Sequence, residues 1–413
     1  MPLLPDRPLG LAPGSISDYR ELARRRIPRQ LFDYIDGGAY DEATMRANVD
    51  DLADIALRQR VMRDVSQLDM SVNVLGQDLA MPVVLSPVGL AGMFAHRAEV
   101  QAAQAAEEAG VPFCESTVSI CSMEEVARNT STPPWYQLYV IRDRSFAEDL
   151  MARAKAIGSP VLVLTVDLPV VGARYRDDRN GMVASMPITK KLRQGVDLVS
   201  HPHWVRNVAI NGKPHTFGNL EEAVPGGRNV KSFKKWVDSQ FDPSVTWDDL
   251  AWVREHWDGP LVLKGVLDPE DARRAVDSGV QGIVVSNHGG RQLDATPSTI
   301  KALPAVAAAV DGKIDVLFDG GIRSGLDIVK AMALGADACL IGRAWAYAVA
   351  GRGKEGVAHI LRIIRSDLEV ALALTGVTNI SEIDHNALVD GDDLIAASAG
   401  PIANLRSKIK KST

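Results

Sequence analysis

Short apolar runs alternate with helical segments along most of the chain. Eight runs of seven or eight residues suit buried parallel strands, at 81–87, 111–117, 134–140, 160–167, 260–266, 281–287, 314–320 and 338–344. Segments with helical periodicity lie between them, for example 97–110, 144–158 and 268–279, and a last helix is predicted at 356–376. Several of these helices end in a glycine directly before the next strand, which is where helices commonly stop. The alternation predicts an α/β fold with a parallel sheet.

Eight strand–helix units favour a closed (β/α)8 TIM barrel over an open doubly wound sheet. No G-x-G-x-x-G motif follows any of the strands, which weakens the dinucleotide-binding alternative. We expect one domain over 1–413, with the barrel at 81–376, a helical extension at 1–80 and a long insertion at 174–240 after barrel strand 4. In the extension, Ser17 is expected to cap a helix over 18–26 and Gly37 to stop a second one.

Composition narrows the class of protein. The chain has 413 residues with 46 Lys and Arg against 52 Asp and Glu, a net charge of −6, which argues against a general nucleic-acid binder. Its three cysteines form no C-x-x-C pair, so a disulfide framework or a structural zinc site is not expected and a reducing cytoplasm is the natural compartment. No apolar stretch approaches the 18 or so residues of a membrane span.

The insertion differs from the rest of the chain in charge. Residues 174–240 carry a net charge of +6, and the remainder carries −12. A solvated surface loop is the favoured interpretation. The alternative is contact with an anionic membrane surface, helped by Trp204, Phe233 and Trp236. His201, His203 and His215 also lie here, but no acidic or thiolate partner is nearby in sequence, so no metal site is expected.

Polar residues collect at the carboxyl ends of the predicted strands, where barrel enzymes place their chemistry. The densest stretch is SNHGGRQLD at 286–294. His288 is a candidate general base, because imidazole titrates near neutral pH, and Asp167 is the candidate to orient it. Arg291 could hold a carboxylate through its two-pronged guanidinium. Together these residues favour a catalytic site.

A second stretch predicts a phosphate site. DGGIRSGLD at 319–327 and IGR at 341–343 follow strands 7 and 8, where barrels often bind phosphate with glycine-rich backbone. Arg323 and Arg343 would add charge-assisted hydrogen bonds. Lys264 ends strand 5, and it could be a Schiff-base lysine or a cation that stabilises negative charge on a cofactor.

These motifs, with YQLYV, LTVD and LVLKG, resemble those of the FMN-dependent 2-hydroxy acid dehydrogenases and oxidases over nearly the whole chain. Within that family, SPVGLAGM, GARYRD and FDPSVTWDDLAW most resemble the bacterial respiratory L-lactate dehydrogenases. The resemblance implies bound FMN, an L-2-hydroxy acid substrate, a quinone or other electron acceptor, and a homo-oligomer, a tetramer by family resemblance. It is also consistent with a cytoplasmic enzyme peripheral to the inner membrane.

The resemblance implies a role for each site residue. His288 is the base and Asp167 supports its protonated form, while Arg174 and Arg291 grip the substrate carboxylate. Tyr34 and Tyr139 hydrogen-bond the substrate. The implied flavin contacts are Ser116, Gln137, Thr165 and Lys264 at the ring, and Asp319, Gly320, Gly321, Arg323, Gly342 and Arg343 along the ribityl chain and phosphate.

Two positions depart from the plant-type glycolate oxidases of the family. Val118 stands where they have Trp, and Gly89 stands where they have Ala. Both departures fit the lactate dehydrogenase branch. Three alternatives remain open: an oxygen-using oxidase of the same fold, a Schiff-base aldolase that uses Lys264, and a non-catalytic flavin-binding protein.

Overall fold

Three helices and a hairpin precede the barrel in the computed structural model, which describes residues 13–180, 195–221 and 240–389. They are α1 (Ile16–Arg26), α2 (Arg29–Asp36), α3 (Ala43–Asp54) and the antiparallel strands β1 (Val72–Val74) and β2 (Gln77–Leu79). The Ser15 side chain accepts a hydrogen bond from Asp18 N at the start of α1. The predicted cap at Ser17 is therefore wrong, because Ser17 lies inside the helix. The predicted stop of α2 at Gly37 is confirmed.

The eight predicted barrel strands are all present. They are β3 (Val83–Leu85), β4 (Cys114–Ser116), β5 (Trp135–Tyr139), β6 (Leu162–Thr165), β7 (Leu261–Val266), β8 (Gly282–Val285), β9 (Asp315–Asp319) and β10 (Ala338–Ile341). Neighbours pair in parallel in the order β3-β10-β9-β8-β7-β6-β5-β4. Leu85 N donates to Pro112 O at 2.9 Å, and Leu85 bridges Phe113 in parallel, which joins the two ends of the sheet. The predicted (β/α)8 barrel is confirmed.

Helices cover the outside of the barrel. They are α4 (Ala98–Glu108), α5 (Met123–Arg128), α6 (Arg144–Ala156), α7 (Tyr175–Arg179), α8 (Asp249–His256), α9 (Pro269–Asp277), α10 (Thr299–Val310), α11 (Gly325–Ala333) and α12 (Arg343–Thr375). Helix α12 is interrupted at Arg352 and Gly353, whose backbone is not helical. Strands β6, β8 and β10 are buried at every residue, because helices cover one face and barrel side chains fill the other. Within the described ranges, no helix is both long and apolar enough to cross a bilayer.

The described parts of the insertion form short helical turns, including Pro202–Trp204 and Val205–Ile210. Trp204 is only 7% exposed, and its Nε1 donates to Met93 O at 2.8 Å. The expectation that Trp204 helps to contact a membrane is therefore wrong, since the indole packs against the barrel. Phe233 and Trp236 lie outside the described residues. The expectation that the three histidines have no acidic partner nearby is wrong for His201, whose Nδ1 lies 3.9 Å from Asp197 Oδ1 and also contacts Asp197 O. His215 contacts Val208 O, and the described residues contain no group of three or more His, Cys, Asp or Glu side chains that could hold a metal ion.

Candidate active site

A pocket opens at the carboxyl end of the barrel, and every barrel strand contributes to its lining. The lining residues on or directly after the strands include Ser86, Val118, Tyr139, Thr165, Lys264, His288, Asp319 and Gly342. The N-terminal extension adds Tyr34, and the insertion adds Arg174 and Phe217. The carboxyl ends of parallel strands meet at one rim, so residues far apart in sequence converge there. The pocket therefore lies at the end of the barrel where the sequence predicts the site.

His288 and Asp167 form a pair in this pocket, with side chains that are 17% and 12% exposed. His288 Nδ1 lies 2.9 Å from Asp167 Oδ1, which leaves Nε2 as the ring atom available to a substrate. Burial lowers the pKa of His288 and outweighs the opposing carboxylate of Asp167. Burial raises the pKa of Asp167, but the charges of His288 and Lys264 lower it more, so it stays below its usual range. At neutral pH the pair is a neutral imidazole beside a carboxylate, which is the state a general base requires.

The turn after β8 aims the imidazole at the pocket. His288 has φ +56°, and the two glycines after it are also left-handed. A non-glycine residue is strained in this region, and such strain collects at functional sites. The His288 amide donates to Ser286 Oγ at 3.0 Å, which fixes the turn. Opposite, a Cβ on Gly265 would lie 2.5 Å from Asp167 Cβ, so only glycine allows Asp167 to sit there.

Two guanidinium groups share the pocket. Burial and the neighbouring charge of Arg174 lower the pKa of Arg291 to about 10. Arg291 Nη1 donates to Tyr34 O at 2.7 Å and to Gly37 O at 2.9 Å, and its guanidinium lies 4.9 Å from the Tyr34 ring centroid. Arg174 Nε is buried and has no hydrogen-bond partner among the described residues. Two buried cations that repel each other favour an anion between them.

Two tyrosines and two small residues also line the pocket. Tyr139 packs edge-on against Phe241 with ring centroids 5.2 Å apart, and burial raises its pKa, so its hydroxyl stays protonated. Tyr34 also lines the pocket. A Cβ on Gly89 would lie 2.6 Å from Val118 Cγ2 and 3.7 Å from the Tyr34 hydroxyl. The two departures from the glycolate oxidases are therefore neighbours in space, and Val118 leaves no room for an alanine at position 89.

Lys264 is a fixed cation. It is 4% exposed, and its Nζ lies 3.0 Å from both Asp319 Oδ2 and Ser286 Oγ. Burial lowers the pKa of Lys264, but the carboxylates of Asp319 and Asp167 raise it more, so it stays protonated. A Schiff-base lysine must lose its proton to attack a carbonyl. The pairing therefore opposes the aldolase interpretation and suits a cation that stabilises negative charge.

The three other predicted ring contacts differ in where they lie. Thr165 lines the pocket, whereas Ser116 and Gln137 are buried and do not line it. Ser116 Oγ donates to Gln137 Oε1 at 3.2 Å. Within the described chain, Gln137 Nε2 and Thr165 Oγ1 are buried without a hydrogen-bond partner. Buried polar groups normally have partners. These two unpaired groups beside the Lys264 ammonium fit the polar edge of a flavin ring.

The predicted phosphate end lies after β9 and β10, and Gly320, Gly321, Arg323 and Gly342 all line the pocket there. A Cβ on Gly321, which has φ +91°, would lie 1.9 Å from Asn48 O, so α3 presses directly on this glycine turn. Arg323 N donates to Asp327 Oδ2 at 2.9 Å. The glycines at this end leave space in the pocket for a phosphate group.

The hydrogen bonds of Arg343 differ from those expected of a phosphate ligand. Its three nitrogens donate to Ile35 O at 3.0 Å, Gly289 O at 2.8 Å and Gly37 O at 2.7 Å. Arg343 thus ties α2 to the turn that carries His288, and it also lines the pocket. Its contact with phosphate stays a prediction.

Some residues that line or support the pocket belong to no sequence motif. Asn48 exchanges two 2.8 Å hydrogen bonds with Asn287, which braces the turn before His288 from α3. Phe217 and Phe241 line the pocket from the irregular part of the chain. Asn48 and Asn287 are 239 positions apart, and no local pattern indicates such a pair.

The fold and this pocket together present a barrel whose mouth holds a His–Asp pair, two neighbouring arginines and glycine-rich turns after β9 and β10. A model of the FMN-dependent dehydrogenase family matches residues 23–390. The chain belongs to this family, and its cofactor is FMN. The unpaired Gln137 and Thr165 groups and the glycine turn at Gly321 agree with that assignment.

Relatives and solved structures agree on the class of reaction. The chain is 54% identical over 376 residues to the L-lactate dehydrogenase of Caulobacter vibrioides (strain NA1000 / CB15N), covering 91% of this chain and 97% of the relative. It is 53% identical to that of Actinobacillus pleuropneumoniae serotype 5b (strain L20), covering 91% and 98%. The monotopic membrane protein (S)-mandelate dehydrogenase superposes with a TM-score of 0.85 at 36% identity, covering 92% and 100%. A mandelate oxidase superposes with a TM-score of 0.77 at 36% identity, covering 92% and 98%. The chain is an FMN-dependent 2-hydroxy acid dehydrogenase.

Proposed function

We propose that the enzyme oxidises L-lactate to pyruvate and delivers the electrons to a quinone. The observation that carries the proposal is the His288–Asp167 pair beside two guanidinium groups in one pocket. A 2-hydroxy acid has a carboxylate for the arginines and a hydroxyl for the base. The small lining at Gly89 and Val118 and the relatives named L-lactate dehydrogenase support lactate as the acid.

In this proposal the substrate carboxylate lies between Arg174 and Arg291, where charge-assisted hydrogen bonds fix its orientation. Tyr34 and Tyr139 hydrogen-bond the substrate from either side. His288 Nε2 accepts a proton from the substrate, and Asp167 stabilises the imidazolium that forms. When bound, FMN would accept the two electrons of the oxidation. Ser116, Gln137, Thr165 and Lys264 would hold its ring, and the residues predicted at the phosphate end would hold its phosphate. Lys264 would place a fixed positive charge near the negative charge of the reduced cofactor.

An anaerobic absorbance spectrum tests this function. We expect the purified holoenzyme to show a yellow flavin spectrum that L-lactate bleaches and D-lactate does not, because the two arginines and His288 define one face of the substrate. A flavin that L-lactate leaves unbleached while L-mandelate or glycolate bleaches it would contradict the proposed substrate.

The acceptor is tested on the bleached enzyme. We expect a soluble quinone analogue to restore the yellow spectrum much faster than oxygen does. Faster recovery with oxygen would favour the oxidase alternative, which a mandelate oxidase neighbour makes the natural second candidate.

We further propose that the insertion contacts an anionic membrane surface through exposed valine and isoleucine side chains and not through Trp204. Val196 is 70% exposed and Val199 is 77% exposed, and Ile210 is also exposed. They lie in the segment whose net charge is +6. Exposed apolar side chains within a basic segment favour an interface between protein and anionic lipid. Cytoplasmic location and the homo-oligomer stay predictions.

A double substitution tests the membrane contact. We expect Val196→Asp/Val199→Asp to bind vesicles containing anionic lipid on the order of 100-fold more weakly, since each buried valine contributes about 1.5 kcal/mol. The matched control is Val370→Asp/Leu374→Asp, because these residues of α12 are 53% and 52% exposed and lie far from the insertion in sequence. Equal binding by both variants and the unsubstituted enzyme in a sedimentation assay would contradict this contact.

A further inference from the structure

The carboxyl end of α2 is a junction between the N-terminal extension and the rest of the site. Asp36, its last residue, is 3% exposed and accepts hydrogen bonds from Arg20, from Arg176 Nη1 at 2.8 Å and from the Tyr347 hydroxyl at 2.8 Å. The carbonyl of Gly37, the next residue, accepts hydrogen bonds from Arg291 and Arg343. Cations suit this place, because a helix carries partial negative charge at its carboxyl end. The same helix carries Tyr34 into the substrate pocket.

Arg176 comes to this junction from the insertion. Its Nη2 lies 2.6 Å from Glu42 Oε2, and Glu42 Oε1 in turn accepts from Gly38 N at 3.1 Å. Burial raises the pKa of Asp36, but its bonds from Arg20, Tyr347 and Arg176 hold it at about 2, so the carboxylate stays ionised at any working pH. One guanidinium thus joins two carboxylates of the extension. Because the guanidinium is planar and rigid, two charge-assisted hydrogen bonds from it fix geometry as well as charge.

The contact lies two residues from Arg174 in sequence. Arg174 directly precedes α7, and Arg176 lies on the first turn of that helix. The flanking backbone is held to the extension as well, since Tyr40 N donates to Ala173 O at 2.8 Å. Arg174 Nε has no hydrogen-bond partner in the described chain, so the location of this side chain depends on where its backbone is held.

We propose that Arg176 is a positioning residue that closes the substrate pocket by latching the segment carrying Arg174 to the helix carrying Tyr34. The proposal rests on the proposed function, because it assigns Arg174 to the substrate carboxylate. Without the latch, Arg174 moves away from Arg291 and the carboxylate keeps one of its two cations. Substrate binding weakens, whereas His288, Asp167 and the flavin cradle remain in place.

Arg176→Met in the holoenzyme tests the latch, with Arg179→Met as the matched control. Arg179 lies on the same helix and is exposed, and its guanidinium lies 5.8 Å from the Tyr175 ring centroid. We expect Arg176→Met to raise KM for L-lactate about 10- to 100-fold, as the loss of one charge-assisted hydrogen bond implies. We expect kcat to change less than threefold, and FMN content to stay the same. Arg179→Met is expected to change none of these quantities.

Hydrogen–deuterium exchange provides a readout independent of turnover. We expect residues 172–178 and the Tyr40 amide to exchange faster in the Arg176→Met holoenzyme, because the bond from Tyr40 N to Ala173 O opens more often. Arg176→Lys is expected to recover part of the KM effect, since an ammonium can pair with one of the two carboxylates. Unchanged exchange together with unchanged KM would overturn the latch.

Two further results distinguish a failure of the latch from a failure of the proposed function. If Arg176→Met does not fold, Glu42→Gln decides: we expect raised KM at unchanged kcat and melting temperature, and unchanged KM would overturn the proposal. If L-lactate fails to bleach the unsubstituted holoenzyme, the proposed function fails. Faster exchange in Arg176→Met would still support the latch itself in that case.

Discussion

His288→Asn is expected to lower kcat for L-lactate by about 10²–10⁴-fold, the usual contribution of a general base, and to leave FMN bound. His288 Nδ1 is engaged by Asp167, so the substitution removes Nε2, the ring nitrogen that is left to accept a proton in the pocket. Asparagine is the appropriate replacement, because His288 has φ +56° and asparagine tolerates that conformation better than most residues. Stopped-flow bleaching under anaerobic conditions measures the loss directly.

The matched control is His256→Asn. His256 lies at the end of α8, where its Nδ1 contacts Trp252 O at 2.9 Å, away from the pocket. Its replacement is expected to leave kcat unchanged. A bleaching rate in His288→Asn within threefold of the unsubstituted enzyme would exclude His288 as the base.

The pH profile of the unsubstituted enzyme follows from the same pair. The base acts when neutral, and burial places the pKa of His288 below its usual value of 6.5. Activity as kcat/KM is therefore present at neutral pH and falls as the pH drops through that lowered pKa. In Asp167→Asn the carboxylate that raises the pKa of His288 is absent, so the acidic fall should move to still lower pH.

Lys264→Met is expected to lower the free energy of unfolding by about 3–5 kcal/mol, the usual cost of leaving one partner of a buried ion pair alone. Asp319 would keep its charge inside the barrel mouth without the ammonium 3.0 Å away. Activity should also fall by about 10²–10³-fold, because a fixed charge at the reacting centre is lost. Urea unfolding monitored by far-UV circular dichroism measures the first effect.

A double variant and a control show whether the lost stability comes from the unpaired charge of Asp319. Lys264→Met/Asp319→Asn removes both charges and is expected to recover part of the lost stability but none of the activity. Lys330→Met is the control, because Lys330 is also buried but donates to a carbonyl, Leu52 O, at 2.7 Å. Its loss leaves no charge behind, so a smaller cost is expected. Equal stability of Lys264→Met and the unsubstituted enzyme would contradict a stabilising ion pair between Lys264 and Asp319.

The barrel was predictable because its signals are local and repeated. Each strand is a short apolar run ended by polar residues, and parallel strands bring those residues to one rim, so His288, Asp167 and Lys264 could be placed together from the sequence. The hairpin β1–β2 was not predicted, since strands of three residues are too short to show a period. The cap at Ser15 rather than Ser17 is a boundary error of the ordinary kind.

The contacts that complete the site could not be predicted in the same way. The bonds of Arg176 to Asp36 and of Arg343 to Gly37 join positions 140 and 306 residues apart. Charged residues in a basic, irregular stretch look alike in sequence, whether they are solvated or buried against a partner. Trp204 illustrates the same limit, because an aromatic residue in a loop can cover the core as well as a surface.

The bonds from Arg343 to α2 have a consequence for how the enzyme is made. The first strand of the barrel pairs with the last, and the last helix begins with the arginine that grips the earliest part of the site. A ribosome must therefore deliver nearly the whole chain before the mouth of the barrel exists. Contacts of such long sequence separation form late in folding. Flavin binding needs that mouth, so it follows the synthesis of β10 and Arg343, and a shortage of FMN would accumulate chains that have all eight barrel strands but no flavin.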